Sequence, residues 1–526
     1  MAIYDTKSRI WSNDADPSED FVQMDSYLGE AIFKRFNEAD PRQIAEINGD
    51  TSEVFTIQDI HQETIAVAMN LQELGIGPDD KVVIFCRLNS HISSIIYACY
   101  SLGIPYCPLD IMNYDLEYLF DYIEPTVLIC DKEFIRDFDK IHYSTLKYKF
   151  FFGINLEDNL FRKQDLQQFV LRKSFSKPPA ELVASLILTS GSTGKPKVAK
   201  LSHSMMINSI NALQHSKFNS PNDFLVSSAG LRWISHIMRM LCPIFYKSPQ
   251  IFTGKDPDPQ NICEIMDKFK GTILFAPNSF LQSLLNFYKS NKIYDFSSLK
   301  TILTGGETPM ECVNNKWKEE FPGLTSVNGY GITEVSGLVA LNKGNIPGLN
   351  GGSIYKGYQV RIVGEDGRNL GPEECGVVYI KLRTPFLKYL KRPEDDKKSY
   401  TSDGWFITGD YGKMTKEHYL HIFCRFKDIP KCKGMLLIPN SVEEYINQHP
   451  LVNLGVVVGV KDKIVIFIKL VNKKAVESEL DVYLRQFVDY EIVEKVVYLE
   501  KFKITSTGKV DKGGLKEGYL KGEYNY

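Results

Sequence analysis

The sequence predicts an α/β protein: a large N-terminal domain of α/β layers plus a small sheet or barrel, followed by a smaller α+β C-terminal domain. Three observations carry that expectation. The 526-residue chain is too long for one ordinary core. Its first half alternates helix-period and strand-like segments. After about residue 424 the pattern changes to a short succession of helix, two strands and helix.

Residues 55–74 place apolar side chains at helical spacing and stop at Gly75 and Gly77. The run 81–86 is strand-like, 91–102 is helical, and 105–109 and 126–130 are further short strands. An apolar run at 182–188 has the length of a buried strand. Such alternation argues for doubly wound layers. Segments 360–363 and 376–382 suit the smaller sheet or barrel. Beyond 424, 441–448 and 479–488 are helical, and 455–460 and 464–470 are strands. The expected domains are therefore 1–424 and 425–526, divided at Arg425 rather than at a Pro/Gly-rich linker. There is no internal repeat and no low-complexity tract.

Composition excludes several function classes. A net charge of −3 offers no basic surface for nucleic acid, and 43% hydrophobic residues suit a globular protein. No apolar run approaches the roughly 20 residues that span a bilayer. Residues 1–10 are charged where a signal peptide would be apolar, so a cytoplasmic protein is expected. The ten cysteines are scattered without a C-x-x-C pair, which implies reduced thiols rather than disulfides or zinc. A monomer is expected.

The most informative segment follows the 182–188 strand. Thr189, Ser190, Gly191, Ser192, Thr193 and Gly194 lead into Lys195, Pro196 and Lys197. Glycines allow backbone N–H groups to turn inward, hydroxyls add short donors and the lysines add charge, which together make a phosphate cradle. Composition alone would also suit a flexible turn. The common P-loop wants Gly, four residues, then Gly-Lys-Ser/Thr. Here Pro196 follows Lys195 and Thr189 stands where the first glycine belongs, so that spacing fails.

Three further segments carry chemistry. Asn328, Gly329, Tyr330, Gly331, Ile332, Thr333 and Glu334 combine a ring for stacking, glycines that admit a planar group, a hydroxyl and a hard oxygen suited to Mg²⁺. As structure alone this is a strand–turn–helix junction with Thr333 as N-cap. The run from Arg425 to Gly434 includes Lys427, Asp428, Pro430 and Lys431, and is otherwise a solvated charged face. The segment 504–511 holds Gly508 and Lys509, which in isolation would be a surface turn. Two weaker segments accompany them. Gly305, Gly306, Glu307 and Thr308 read alone as a strand-end turn, and Asp410, after Trp405, Thr408 and Gly409, as a turn residue.

In this order, the segments resemble the adenylate-forming superfamily of acyl-CoA synthetases, insect luciferases and peptide-synthetase adenylation domains. The resemblance runs from Tyr4 to Lys509 and is strongest to insect luciferase-like acyl-CoA synthetases. It implies a large domain with a small barrel, a mobile C-terminal domain and an active site in the cleft between them. It implies ATP and Mg²⁺, and a carboxylic acid (a fatty acid or a luciferin) converted to an acyl-adenylate. The second substrate is then coenzyme A, giving a thioester, or alternatively O₂, giving light. By the same resemblance residues 189–194 and Lys197 hold the phosphates, and Gly306, Glu307 and Thr308 line the purine. Asn328, Gly329, Tyr330 and Gly331 lie at adenine, Thr333 at the α-phosphate and forming acyl oxygen, and Glu334 at Mg²⁺. Asp410 and Arg425 bind ribose, Lys509 acts in adenylation and Lys431 in the second half-reaction. Leu231, Trp233 and Gly305 fall in the acid pocket.

Several features depart from the family pattern. Gly230 and Leu231 replace histidines, which leaves His236 as a packed or exposed side chain rather than a catalyst. Cys424 and Pro430 alter the hinge, the loop after Asp462 is short, and the C-terminus lacks a peroxisomal Ser-Lys-Leu address. Which acid is activated stays open.

Overall fold

A computed structural model describes residues 2–524 except 15, 90, 110–114, 140–142, 163–164, 190–194, 215–219, 256–257, 345, 347, 472–476 and 504–509. Within these residues the N-terminal region is built on two sheets. The six-stranded sheet runs in the order Lys197–Ser202, Val183–Thr189, Tyr106–Leu109, Val82–Phe85, Val127–Asp131, Tyr148–Phe152. All neighbours are parallel except the first pair. Val82–Phe85 and Tyr106–Leu109 are buried at every position, which is why they appear in sequence as continuous apolar runs rather than alternations.

Helix Ile57–Glu73 starts two residues later than its periodicity suggests, because Phe55 belongs to strand Val54–Thr56. Thr56 and Asp59 close a reciprocal capping box there. Helix Ile92–Leu102 is buried along its whole length and stops at Gly103, whose φ of 68° an L side chain would resist. Helix His203–Leu213 begins as expected, with the Ser202 hydroxyl accepting from the Met205 N–H.

The second sheet has fifteen strands among the described residues. Its parallel section runs Ile44–Asn48, Gln250–Phe252, Leu225–Ser227, Ile273–Phe275, Thr301–Gly305, Thr325–Ile332. Past Gly337–Asn342 and Gly351–Ile354 it becomes antiparallel throughout. The expected small sheet is this section, and it is hydrogen-bonded to the large one through Leu420–Arg425 rather than detached. Its strands Tyr358–Val363, Gly376–Leu382 and Phe406–Met414 alternate buried and part-exposed residues, as antiparallel strands with one solvated face do.

The strand Leu420–Arg425 carries the chain through Arg425 before it leaves the large sheet. The C-terminal region has its own three-stranded sheet, Val452–Val460, Lys463–Leu470, Val493–Tyr498, with helices Pro439–Gln448, Glu477–Arg485 and Lys512–Leu520. Its central strand buries Ile464, Ile466 and Ile468 on one face and Val465 and Phe467 on the other. The short loop after Asp462 is a two-residue hairpin turn between paired Val460 and Lys463, with Lys461 in the left-handed region. Pro430 packs against Gly459 of this sheet, where a Cβ would come within 2.7 Å of the proline ring.

Among the described residues, hydrogen bonds between two helices help tie the two regions together. The Glu444 carboxylate, on helix Pro439–Gln448, accepts from the first N–H groups of helix Glu311–Glu320, Glu311 at 2.9 Å and Cys312 at 2.5 Å. Lys316 adds a bond from Nζ to the Asn447 carbonyl at 3.0 Å.

Candidate active site

The carboxyl ends of the parallel strands converge, and that edge of an open α/β sheet is where ligands bind. Strand Thr301–Gly305 ends beside Thr325–Ile332, with Gly305 paired to Gly329. Gly306 then turns at φ 79°, a conformation that favours glycine. Glu307 is held by Ser279, whose Oγ donates to the carboxylate at 3.2 Å. The Thr308 carbonyl accepts from Asn278 Nδ2 at 3.4 Å. Asn328 is buried and fixed on both sides, donating to Thr304 Oγ1 and accepting from the Gly351 N–H.

The glycines flanking Tyr330 admit a neighbouring strand. A Cβ at Gly331 would lie 2.6 Å from the Gly337 carbonyl, and one at Gly329 would lie 2.6 Å from the Leu338 side chain. They let the adjacent strand Gly337–Asn342 approach across a bulge at Tyr330/Gly331. Thr333 also differs from an N-cap: it is the first residue of the 3-10 turn Thr333–Val335, and Ile332 holds the cap position.

Tyr330, Asp410 and Arg425, distant in sequence, meet in one corner. The Tyr330 hydroxyl donates to Asp410 Oδ2 at 2.6 Å, and Arg425 Nε pairs with Asp410 Oδ1 at 3.0 Å. Antiparallel register sets Asp410 directly opposite Arg425. Arg425 Nη1 also donates to the Thr408 carbonyl at 2.7 Å, and the Asp410 N–H donates to Thr408 Oγ1 at 2.9 Å. Burial, reinforced by Asp410, holds the Tyr330 phenol far above its usual range, so it stays a donor. Asp410 in turn holds the Arg425 guanidinium above its ordinary value.

A second group surrounds Glu334. Tyr389 donates to Glu334 Oε1 at 2.7 Å, and burial keeps that phenol protonated. Lys197 lies 5.1 Å from the centre of the Tyr389 ring and pairs with Asp395 at 2.7 Å. Lys195 sits 4.6 Å from the Tyr118 ring, whose hydroxyl donates to the Pro196 carbonyl at 3.1 Å. The residues that flank the predicted phosphate loop are paired, Thr189 opposite Lys197, so two antiparallel strands flank it rather than a strand and a helix. Ser190, Gly191, Ser192, Thr193, Gly194 and Lys509 lie outside the described residues.

Other expected residues stand apart from these two groups. Lys431 is exposed on the strand Lys431–Cys432 and forms no ion pair among the described residues. Leu231 is fully buried in the main core, while Trp233 is half-buried with Arg232 6.0 Å from its ring. His236 is a packed histidine: Arg239 donates to its Nδ1 at 2.9 Å, and burial holds the ring neutral. Sequence reasoning missed Tyr389, Asp395, Tyr118 and Arg239. None belongs to a recognisable motif, and Tyr389, Asp395 and Tyr118 acquire their partners from distant parts of the chain.

Fold and site together define an α/β protein whose candidate site residues gather at strand ends. The chain belongs to the AMP-binding enzyme family, whose pattern matches residues 33–390. It is similar to a feruloyl-CoA synthase of Amycolatopsis sp, 26% identical over 64% of this chain and 70% of that protein. It is also similar to a long-chain-fatty-acid–CoA ligase of Salmonella typhimurium, 26% identical over 66% of this chain but only 64% of the ligase. Among solved structures, an anthranilate CoA ligase in complex with anthranoyl-AMP superposes with a TM-score of 0.85 at 20% identity, covering 96% of this chain and 99% of that one. ATP-bound MatB from Rhodopseudomonas palustris gives 0.80 at 22% identity, covering 93% and 99%. These likenesses establish the fold.

Proposed function

We propose that the protein activates a carboxylic acid with ATP and transfers the acyl group to coenzyme A. In the first half-reaction a carboxylate oxygen attacks the α-phosphate, an acyl-adenylate forms, and pyrophosphate leaves. In the second the thiol of coenzyme A attacks the acyl carbon, giving a thioester, AMP and a proton. The observation that carries this reading is the Tyr330–Asp410–Arg425 corner beside Glu334, in a chain of the AMP-binding family.

Asp410 supplies the ribose recognition. A carboxylate offers about four acceptor sites. Tyr330 and Arg425 occupy two of them. The remainder match the two hydroxyls of a ribose, and charge makes those bonds strong. Tyr330 presents its ring to adenine, with Asn328 and the turn Gly306–Thr308 bordering the base. Thr333 donates to the α-phosphate and the forming acyl oxygen. Residues 189–194 and Lys197 hold the β- and γ-phosphates, and Lys509 places a positive charge between two approaching anions, which lowers their repulsion in the transition state.

The chemistry of Glu334 fits Mg²⁺. Tyr389 engages Oε1 alone, and Mg²⁺ needs only one or two carboxylates beside phosphate oxygens and water. When bound, the ion neutralises charge on the departing pyrophosphate. Between half-reactions the region 425–526 turns as a unit about Arg425, exchanging Lys509 for Lys431. The ten cysteines, all free, suit a reducing compartment, and no helix among the described residues is long and apolar enough to cross a membrane.

The test is a panel of carboxylic acids assayed for pyrophosphate, for coenzyme A thioester and for light. Thioester formation dependent on ATP and acid is expected. Light with a luciferin and O₂ in place of thioester would replace the second half-reaction. Absence of pyrophosphate with every acid would refute the activation itself.

A further inference from the structure

Arg239 is a buried cation without a carboxylate partner among the described residues. Arg239, on the short helix Ile234–Met240, is 6% exposed. Its Nη2 donates to the Ala229 carbonyl at 3.4 Å and to His236 Nδ1 at 2.9 Å, and both acceptors are neutral. No carboxylate pairs with it among the described residues, and its Nε–H finds no acceptor. The other titratable group that acts on it, Cys242, is a neutral thiol, pushed up to about 12 by burial. Burial also lowers the Arg239 guanidinium to about 9, so it remains charged at neutral pH. An unpaired buried charge costs several kcal/mol, and folded proteins rarely keep one without a partner.

Two more orphaned groups share the segment. The Oγ atoms of Ser228 and Ser235 are buried without a hydrogen-bond partner. Ser235 and Arg239 stand four apart on one helix face. Ser228 follows strand Leu225–Ser227, and its N–H donates to the Phe275 carbonyl at 3.1 Å. The Arg239 guanidinium lies 5.4 Å from the Phe275 ring centre. That ring is also the neighbour of Gly305, where a Cβ would come within 3.8 Å of it. Arg239 and Ser228 therefore both lie beside Phe275, one ring away from the turn assigned to the nucleotide and acid, with Ser235 one turn before Arg239 on its helix.

We infer that Arg239, with Ser228 and Ser235, receives a second carboxylate of the acid substrate, so that the enzyme activates dicarboxylic acids in preference to simple fatty acids. This rests on the proposed acid activation. One carboxylate reacts at the α-phosphate, and the other stays ionised and pairs with the guanidinium, whose planar fork takes a carboxylate bidentately. Arg239 is thus a specificity-determining residue that forms no bond in the reaction.

The test compares straight-chain diacids with monoacids of equal length, from succinate and butyrate up to suberate and octanoate. Within the wild-type enzyme, kcat/KM should favour some diacid over its matched monoacid by about 30-fold or more, the lower bound for a buried charge pair. Arg239→Met should abolish that ratio and Arg239→Lys should restore part of it. Wild-type preference for monoacids at every length overturns the inference whether or not the variants fold. Calorimetric binding of the best diacid without ATP reads the site independently of turnover. Affinity unchanged in Arg239→Met overturns the inference. Binding that depends on Arg239 in a protein releasing no pyrophosphate supports the carboxylate site at Arg239 and refutes the activation reading instead.

Discussion

Replacing Asp410 with Asn tests the ribose corner atom by atom. In the folded protein Oδ2 accepts from Tyr330 and Oδ1 pairs with Arg425 Nε. The isosteric amide keeps one acceptor oxygen and turns a donor toward either Arg425 or the incoming diol. The nucleotide then loses at least one hydrogen bond to a charged acceptor, worth about 1.5–3 kcal/mol, so ATP should bind roughly 10- to 150-fold more weakly. Stability should fall less than for a fully buried pair. The Arg425 side chain is 50% exposed and the Asp410 side chain 9%, so water screens part of the attraction. A loss of about 1–2 kcal/mol is expected, between the ranges for surface and buried pairs. ATP affinity by calorimetry and midpoint by chemical denaturation separate the two effects, and KM for the acid should move little. An Asp410→Asn enzyme that binds ATP within about twofold of wild type would refute the assignment of ribose to this carboxylate.

Two further predictions concern the frame that holds the site. Glu46 is buried, accepts from Ser93 and, at 2.8 Å, from Gln250, and burial raises its carboxyl from an ordinary 4.5 to about 7. The folded protein therefore keeps a proton that the unfolded chain releases. The stabilisation is complete below about pH 4.5 and is lost as pH rises through about 7. Glu46→Gln should flatten that part of the stability profile, recovering a few kcal/mol (about 1.4 per pH unit) at pH 8, and an unchanged slope would contradict it. Glu444→Ala leaves the first N–H groups of helix Glu311–Glu320 without their carboxylate, although burial, which raises that carboxyl, offsets part of the bonds. Amide exchange at Glu311 and Cys312 should accelerate about 5- to 150-fold, equivalent to about 1–3 kcal/mol. Unchanged exchange would show that the contact does not hold the two regions together.

The sequence made the strand ends and the loops between them legible, because glycine, hydroxyl and charge clusters sit at fixed short spacings there. Helix Ile92–Leu102 and the fully buried strands Val82–Phe85 and Tyr106–Leu109 were readable from apolar runs of the right length. Packing between distant strands was not. Gly329 and Gly331 look like openings for a ligand in sequence, and nothing there shows the second demand on them, the close approach of Leu338 and Gly337 on the next strand. Strand Leu420–Arg425 shows why the division at 424 could not be fixed to a residue: register with Asp410 keeps Arg425 in the large sheet. Tyr389 and Arg239 carry no motif at all. The first matters because its hydroxyl reaches Glu334, 55 positions earlier, and the second because no acid among the described residues reaches it.

The central claim is that a carboxylate oxygen attacks the α-phosphate of ATP. Supplying an acid labelled with oxygen-18 in its carboxyl group, together with ATP and coenzyme A, reads that bond directly by mass spectrometry of the products. One labelled oxygen should appear in AMP, with unlabelled pyrophosphate released in equal amount. Label in inorganic phosphate, accompanied by ADP, would place the attack at the γ-phosphate and contradict the account.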